Sequence, residues 1–153
     1  MTLLDAIPTE TLVGVDTAPI IYLIEQHSLF GPLVYPFFSE RVDTGVNPIV
    51  TSIISLAEVL TKPIAMGRTD LADAYRDLLT KGPHLVILDL SKGTAERAAA
   101  LRAAYGLRLP DAFQVAAAVD AGATHFLTND SRLKVVRELI VVVLQDHLGS
   151  ASR

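Results

Sequence analysis

Residues 109–130 read LPDAFQVAAAVDAGATHFLTND. Pro110 and Asp111 open a segment in which Ala112, Val115, Ala116 and Val119 recur at i, i+3, i+4 and i+7. That spacing places them on one stripe of a helix over 111–121, and the small side chains permit close approach to a sheet. Gly122 closes the helix. His125-Phe126-Leu127 follows as a short apolar strand, and Thr128-Asn129-Asp130 leaves it with a carboxylate. A helix feeding a continuously apolar strand is the unit from which parallel sheets are built.

The same alternation extends outward in both directions. Residues 12–15 (LVGV), 48–51 (PIVT) and 85–88 (LVIL) read as strands upstream, and 139–144 (LIVVVL) as the last strand downstream. Helical patterns fall between them. One runs over 19–26, with Pro19 in its first turn. A second runs over 31–45, with ends made irregular by Pro32 and Pro36. A third covers 52–66 and is expected to break or kink at Pro63. A fourth, capped by Thr69, runs to 79 and is ended by Gly82-Pro83. Ser91 opens an alanine-rich helix to Tyr105, with Gly106 as its left-handed stop, and a short helix is expected over 131–137. The pattern predicts the α/β class: a mostly parallel five-stranded sheet covered by helices on both faces, as a three-layer α/β/α sandwich. With no repeat, linker or low-complexity stretch, one domain over 1–148 and a frayed tail over 149–153 are expected.

Composition narrows the chemistry. Half of the 153 residues are hydrophobic and a fifth are charged, enough apolar material for a real core. Cysteine is absent, which excludes disulfide frameworks, thiolate zinc sites and cysteine nucleophiles, and suits a reducing cytoplasm. The N-terminus lacks the basic and apolar regions of a signal peptide, and the longest apolar run is far short of the roughly 20 residues a membrane span needs. A soluble cytoplasmic protein with no membrane contact is therefore expected. The formal charge of −4 comes from 17 acidic and 13 basic residues. Setting aside four acids that bind metal leaves 13 against 13, so the overall sign does not exclude a nucleic-acid partner.

Four acids are candidates for that role. Ligands of open α/β sheets bind beyond the carboxyl ends of the strands, where strand order reverses. Asp16 follows the first strand directly and Asp130 the fourth. Asp111 opens the helix leading into the fourth strand. Glu58 lies in the apolar helical run Ile53-Ile54-Ser55-Leu56-Ala57-Glu58-Val59-Leu60, where a buried carboxylate is costly unless compensated. Each has a plainer explanation. Asp16 or Thr17 could cap a helix, Asp111 suits a first helical turn, Asp130 could cap the short helix after it, and Glu58 could pair with Lys62. The conjunction favours chemistry, since four carboxylates at one sheet edge repel unless cations are present. Oxygen-only ligands select Mg²⁺ or Mn²⁺. Such ions suit phosphodiester hydrolysis, one lowering the pKa of the attacking water and another stabilising the leaving oxygen. Arg41, Lys62, Arg68, Arg108 and Arg132 are candidate phosphate contacts, and surface solvation explains each equally well. His27, His84, His125 and His147 show no ligand spacing. Asp89, at the end of the third strand, supports a rival reading as the acceptor of a receiver domain.

Four motifs resemble one known family in order and spacing. Val15-Asp16-Thr17-Ala18-Pro19-Ile20-Ile21-Tyr22-Leu23 is similar to the opening motif of PIN domains, above all the VapC-like toxins of bacterial toxin–antitoxin pairs. Thr51-Ser52-Ile53-Ile54-Ser55-Leu56-Ala57-Glu58-Val59 resembles the second motif, Leu109-Pro110-Asp111-Ala112 the third and Thr128-Asn129-Asp130 the fourth. The resemblance implies a PIN-like fold with a five-stranded parallel sheet and a Mg²⁺- or Mn²⁺-dependent endoribonuclease. Its acidic cluster would be Asp16, Glu58, Asp111 and Asp130, with Thr17, Thr128 and Asn129 in support, and Asn129 sharing or replacing the role of Asp130. It further implies an RNA substrate, a cognate antitoxin and a homodimer. The alternative within the family is a catalytically inactive, RNA-binding PIN-like module.

Overall fold

Five short strands pair in parallel in the computed structural model, which describes residues 1–149: β1 (Val13–Val15), β2 (Ile49–Ser52), β3 (Leu85–Leu88), β4 (His125–Thr128) and β5 (Ile140–Val143). Their spatial order is β3-β2-β1-β4-β5. Val13 pairs with both Ile49 and His125, so β1 is central, and the chain winds outward from it first through β2 and β3, then through β4 and β5. The reversal falls between β1 and β4. The sheet is parallel throughout, more uniform than the mostly parallel one expected. Residues 150–153, most of the expected frayed tail, lie outside the described residues.

The helices are α1 (Leu3–Ala6), α2 (Thr17–Ile24), α3 (Gly31–Pro36), α4 (Ile53–Ala65), α5 (Thr69–Lys81), α6 (Lys92–Tyr105) and α7 (Leu109–Asp120). They cover both faces. Val13, Val15, Ile49, Leu127 and Val142 share one core with residues of α1 to α5, among them Ile20, Val59 and Tyr75. Val50 and Phe126 point the other way, into a second core with Ala98, Leu101, Ala112, Val115, Ala116 and Ala118 from α6 and α7. Alternate residues of each strand thus serve opposite layers, which is why the strands read as unbroken apolar runs.

Gly14 sets the spacing of the second layer. A Cβ there would stand 2.6 Å from the Ala118 Cβ and 2.9 Å from Phe126 Cδ1. Glycine on β1 and alanine on α7 together let the helix lie directly on the centre of the sheet.

Several local expectations change. Pro63 does not break its helix: α4 runs on to Ala65, because a proline near the C-terminal end removes a single ladder bond and its ring is buried. Thr69 is the first helical residue of α5 rather than its cap; the cap position is Arg68, whose guanidinium instead forks onto Asp70. At Pro36 the expected irregularity is met: α3 ends there, and the chain widens into a π-helical turn over Phe37–Val42 that buries Phe37, Phe38 and Val42. Arg41 is not available to a phosphate. Its guanidinium donates to the Leu4 and Ile7 carbonyls and to Asn47 Oδ1, at 2.9–3.0 Å, and pins α1 to the body of the protein. Among the described residues no helix is long and apolar enough to cross a membrane.

Candidate active site

The order of the sheet brings the end of β1 beside the end of β4, and two acids leave those ends. Asp16 caps α2 through Oδ1, which accepts from the Thr17 N–H at 2.8 Å. Its Oδ2 accepts from Thr128 Oγ1 on β4 at 2.7 Å. Thr128 in turn accepts the Asp130 N–H at 3.1 Å. The capping explanation and the site explanation of Asp16 are therefore both realised by one carboxylate. Burial pushes its carboxyl above the usual range. The bonds from Thr128 and Thr17 oppose that rise, and the nearby charges of Asp111 and Glu58 add to it.

All four acids, with Thr17, Tyr22, Arg108, Thr128 and Asn129, line a single cleft of about 300 Å³. Their surroundings differ. Glu58 is exposed on α4 rather than buried, so the cost anticipated from its apolar helix is not incurred. It does not turn to Lys62; its Oε1 accepts from Thr17 Oγ1 at 3.3 Å. Asp111 sits in the first turn of α7, one-seventh exposed, in an ion pair with Arg108 at 3.0 Å. Asp130 caps the 3₁₀ turn Ser131–Val135 and is forked by Arg132, whose guanidinium holds its carboxyl below the ordinary range. Asn129 uses both ends of its amide: Nδ2 donates to Tyr22 Oη at 3.1 Å, and Oδ1 accepts from the Gln145 N–H at 2.9 Å. It ties the fourth motif to α2 on one side and to the turn after β5 on the other. Asp89 is remote, since β3 is the outermost strand on the far side of β2.

A buried hydroxyl network lies beneath the cleft, and its polarity follows from counting donors. Thr51 Oγ1 spends its proton on the Val15 carbonyl at 2.7 Å, so Ser55 must donate to Thr51, also at 2.7 Å. Ser52 Oγ accepts the Ile54 N–H and donates to Gln114 Oε1 at 2.6 Å. That fixes the Gln114 amide, whose Nε2 protons then serve Ser55 Oγ at 2.7 Å and Thr17 Oγ1 at 3.2 Å. With Ser55 already donating to Thr51, the Thr17 hydroxyl is the donor of its own pairs, shared between Ser55 Oγ at 3.2 Å and Glu58 Oε1 at 3.3 Å. Among the described residues no buried side-chain polar atom is left without a partner. Gln114, Ser52 and Ser55 were not singled out as site residues by the sequence. The available signal was Gln114 itself, the one polar residue on the buried side of α7, one turn beyond Asp111.

The donor set suits a hard divalent cation. The Asp111 and Glu58 carboxylates repel a partly buried Asp16, and the acids offer only oxygens. As the side chains lie, no three acidic or histidine groups among the described residues form a ready cation cage, and two of the four acids are engaged by arginines.

Comparisons with known proteins agree with this architecture. A chain of VapBC2 from Rickettsia felis, solved bound to a DNA fragment from its promoter, superposes with a TM-score of 0.68 at 20% identity, over 86% of this chain and 98% of that one. A toxin–antitoxin complex from Klebsiella pneumoniae gives 0.64 at 24% identity, over 88% and 98%. VapBC-5 from Mycobacterium tuberculosis, a member of the VapBC family of toxin–antitoxin systems, gives 0.56 at 18%, over 86% and 98%. At these identities the likeness is one of fold. Among curated proteins no sequence matches significantly. The family model of the PIN domain matches residues 13–139, spanning all four acids and four of the five strands, and the chain belongs to the PIN domain family.

Proposed function

We propose that this chain is a Mg²⁺- or Mn²⁺-dependent endoribonuclease, the toxin of a toxin–antitoxin pair. The observation that carries the reading is the state of Asp16. It is a partly buried carboxylate at the switch point of the sheet, destabilised by its burial and by the charges of Asp111 and Glu58, and among the described residues no arginine or lysine is bonded to it. A group held in that condition is poised for a cation rather than for a structural ion pair. Family membership favours nuclease chemistry, and the toxin–antitoxin complexes among the structural neighbours favour an antitoxin partner.

Asp16, Glu58 and Asp111 would hold the cation, with Asp130 or Asn129 at the far side of the cleft. The ion would supply activation of water and neutralisation of charge at the phosphate. The protein's own groups set the geometry. Thr128 fixes one oxygen of Asp16 and the Thr17 N–H the other, while the Thr17 hydroxyl, held by Gln114, turns Glu58 inward. We further propose a homodimer, a cytoplasmic location and a single domain over residues 1–148.

The test is cleavage of structured and single-stranded RNA in Mg²⁺, Mn²⁺ or EDTA, beside an Asp16→Asn variant. Asparagine caps helices as well as aspartate, so α2 is retained. Metal-dependent cleavage by the wild type, absent from the variant, is the expected result. Cleavage that persists in EDTA or in the variant overturns the assignment; binding of RNA without cleavage in any metal favours the inactive RNA-binding module.

A further inference from the structure

Two of the site's four carboxylates are already neutralised. Arg108 Nε meets Asp111 Oδ2 at 3.0 Å, and Arg132 forks Asp130 with Nε to Oδ1 at 2.9 Å and Nη2 to Oδ2 at 2.7 Å. The partners in each pair are unequal. The arginine side chains are 65% and 66% exposed, their acids only 15% and 23%. The acids are fixed by their helix and turn, and the guanidiniums are the partners free to leave.

The two pairs also form one unit. Arg108 acts on Asp130 as well as on Asp111, and Asp111 acts on Arg132. Together they line a second cleft of about 370 Å³, floored by Leu107, Leu133 and Val135 and continuous with the acidic one through Arg108, Asp111 and Asp130. Exposed ion pairs of this kind hold only weakly, by roughly 0–1 kcal/mol each. A planar guanidinium binds a phosphate through the same fork it offers a carboxylate.

We propose that Arg108 and Arg132 are exchangeable counter-ions: they occupy Asp111 and Asp130 until a divalent cation takes those carboxylates, and then pass to the backbone phosphates of a polynucleotide lying in the second cleft. The inference rests on the metal-dependent nuclease reading. Cation and arginine compete for the same oxygens, while cation and polynucleotide assist each other, since each removes a competitor of the other.

Binding measurements on the full chain test this without relying on turnover. Mn²⁺ affinity is measured by titration calorimetry, without RNA, for the wild type and an Arg108→Gln/Arg132→Gln double variant. Single-stranded RNA affinity is measured with Ca²⁺ across a salt series. Both arginines are exposed, and thermal melts verify folding. The double variant is expected to bind Mn²⁺ about threefold to tenfold more tightly, to bind RNA more weakly, and to lose about 1.4 from the slope of log affinity against log salt, about 0.7 per lost contact to a single strand. An Arg132→Lys variant keeps the charge but not the fork, and should bind Mn²⁺ more tightly while retaining the salt slope. Mn²⁺ affinity unchanged or weaker in the double variant, or an unchanged salt slope, overturns the exchange while leaving the metal site standing. Absence of Mn²⁺ binding in the wild type overturns the metal reading and this inference together.

Discussion

Gln114 shows how much one side chain can set at a site it does not enter. Its amide joins hydroxyls from β2, α4 and α2, and by donating to Thr17 Oγ1 it leaves the Thr17 proton to face Glu58 and Ser55. A Gln114→Leu substitution keeps the volume but leaves Ser52 without its acceptor and removes the donor that holds the Thr17 hydroxyl beside Glu58. The expected cost is about 1–3 kcal/mol in stability, read by denaturant unfolding, and a roughly 10- to 100-fold loss of cleavage rate, the usual penalty for losing a group that orients a ligand. Loss of stability with full activity would show that the network serves packing alone. His125 offers a contrast at the same scale. It is buried between β1 and β5, its ring is bonded to Thr124, and burial lowers its pKa below 6.5. The unfolded chain therefore takes up this proton more readily than the folded one. Its contribution is fully present above pH 6.5 and is lost as the pH falls through the lowered folded value. A His125→Gln variant should show a flatter stability curve between about pH 7 and pH 5, with a wild-type curve of equal flatness counting against the assignment. Asp16, Asp111 and Asp130 were legible because each stands where an element begins or ends, and Glu58 because it interrupts an apolar helical run. Gln114 was not, because its Ser55 partner lies 59 residues away.

At the scale of elements, the approach of α7 to the sheet governs the site, because that helix carries both Asp111 and Gln114. The approach depends on Gly14 facing Ala118. A Gly14→Ala substitution has no room for its methyl group, and overpacking of this kind costs roughly 1–3 kcal/mol. Lifting α7 also moves Asp111, so cleavage should fall more than stability alone predicts. Adding Ala118→Gly removes the opposing methyl and should restore much of both, a coupling that a double-mutant cycle measures directly. Simple additivity of the two substitutions would refute the close approach. The alanine stripe of α7 announced a close contact from sequence, as did the Ser91 and Gly106 caps of α6 at its two ends. What the sequence misjudged were one proline and a threonine. Pro63 was expected to break or kink a helix that runs on past it, and Thr69 was expected to cap a helix that it instead begins. Local rules state the cost of such residues. Whether burial of the surrounding helix outweighs that cost is decided by partners distant in sequence.

For the whole molecule, parallel winding outward from β1 collects the carboxyl ends of neighbouring strands at one edge, and this concentrates negative charge at a single place. A partly buried, repelled Asp16 is a standing cost to the metal-free protein at neutral pH. Its raised pKa means that its own contribution to stability is fully present below the ordinary aspartate range and is lost as pH rises through the folded value. Two consequences follow from the same carboxylate. Metal-free Asp16→Asn should be more stable than metal-free wild type at pH 7, by on the order of 1 kcal/mol or roughly 3 °C in Tm, and the difference should shrink as the pH is lowered. Wild type should recover and exceed that deficit when a cation binds. Mn²⁺ at about 100 times its Kd contributes about 2.7 kcal/mol by mass action, a rise of roughly 5–10 °C in Tm over the EDTA value, whereas the variant should not respond. A scan of both proteins with and without Mn²⁺ gives all four values at once. If the wild type gains nothing from the cation, or if the asparagine variant is the less stable of the two without it, then Asp16 is an ordinary helix cap and the concentration of charge at the switch point has another purpose.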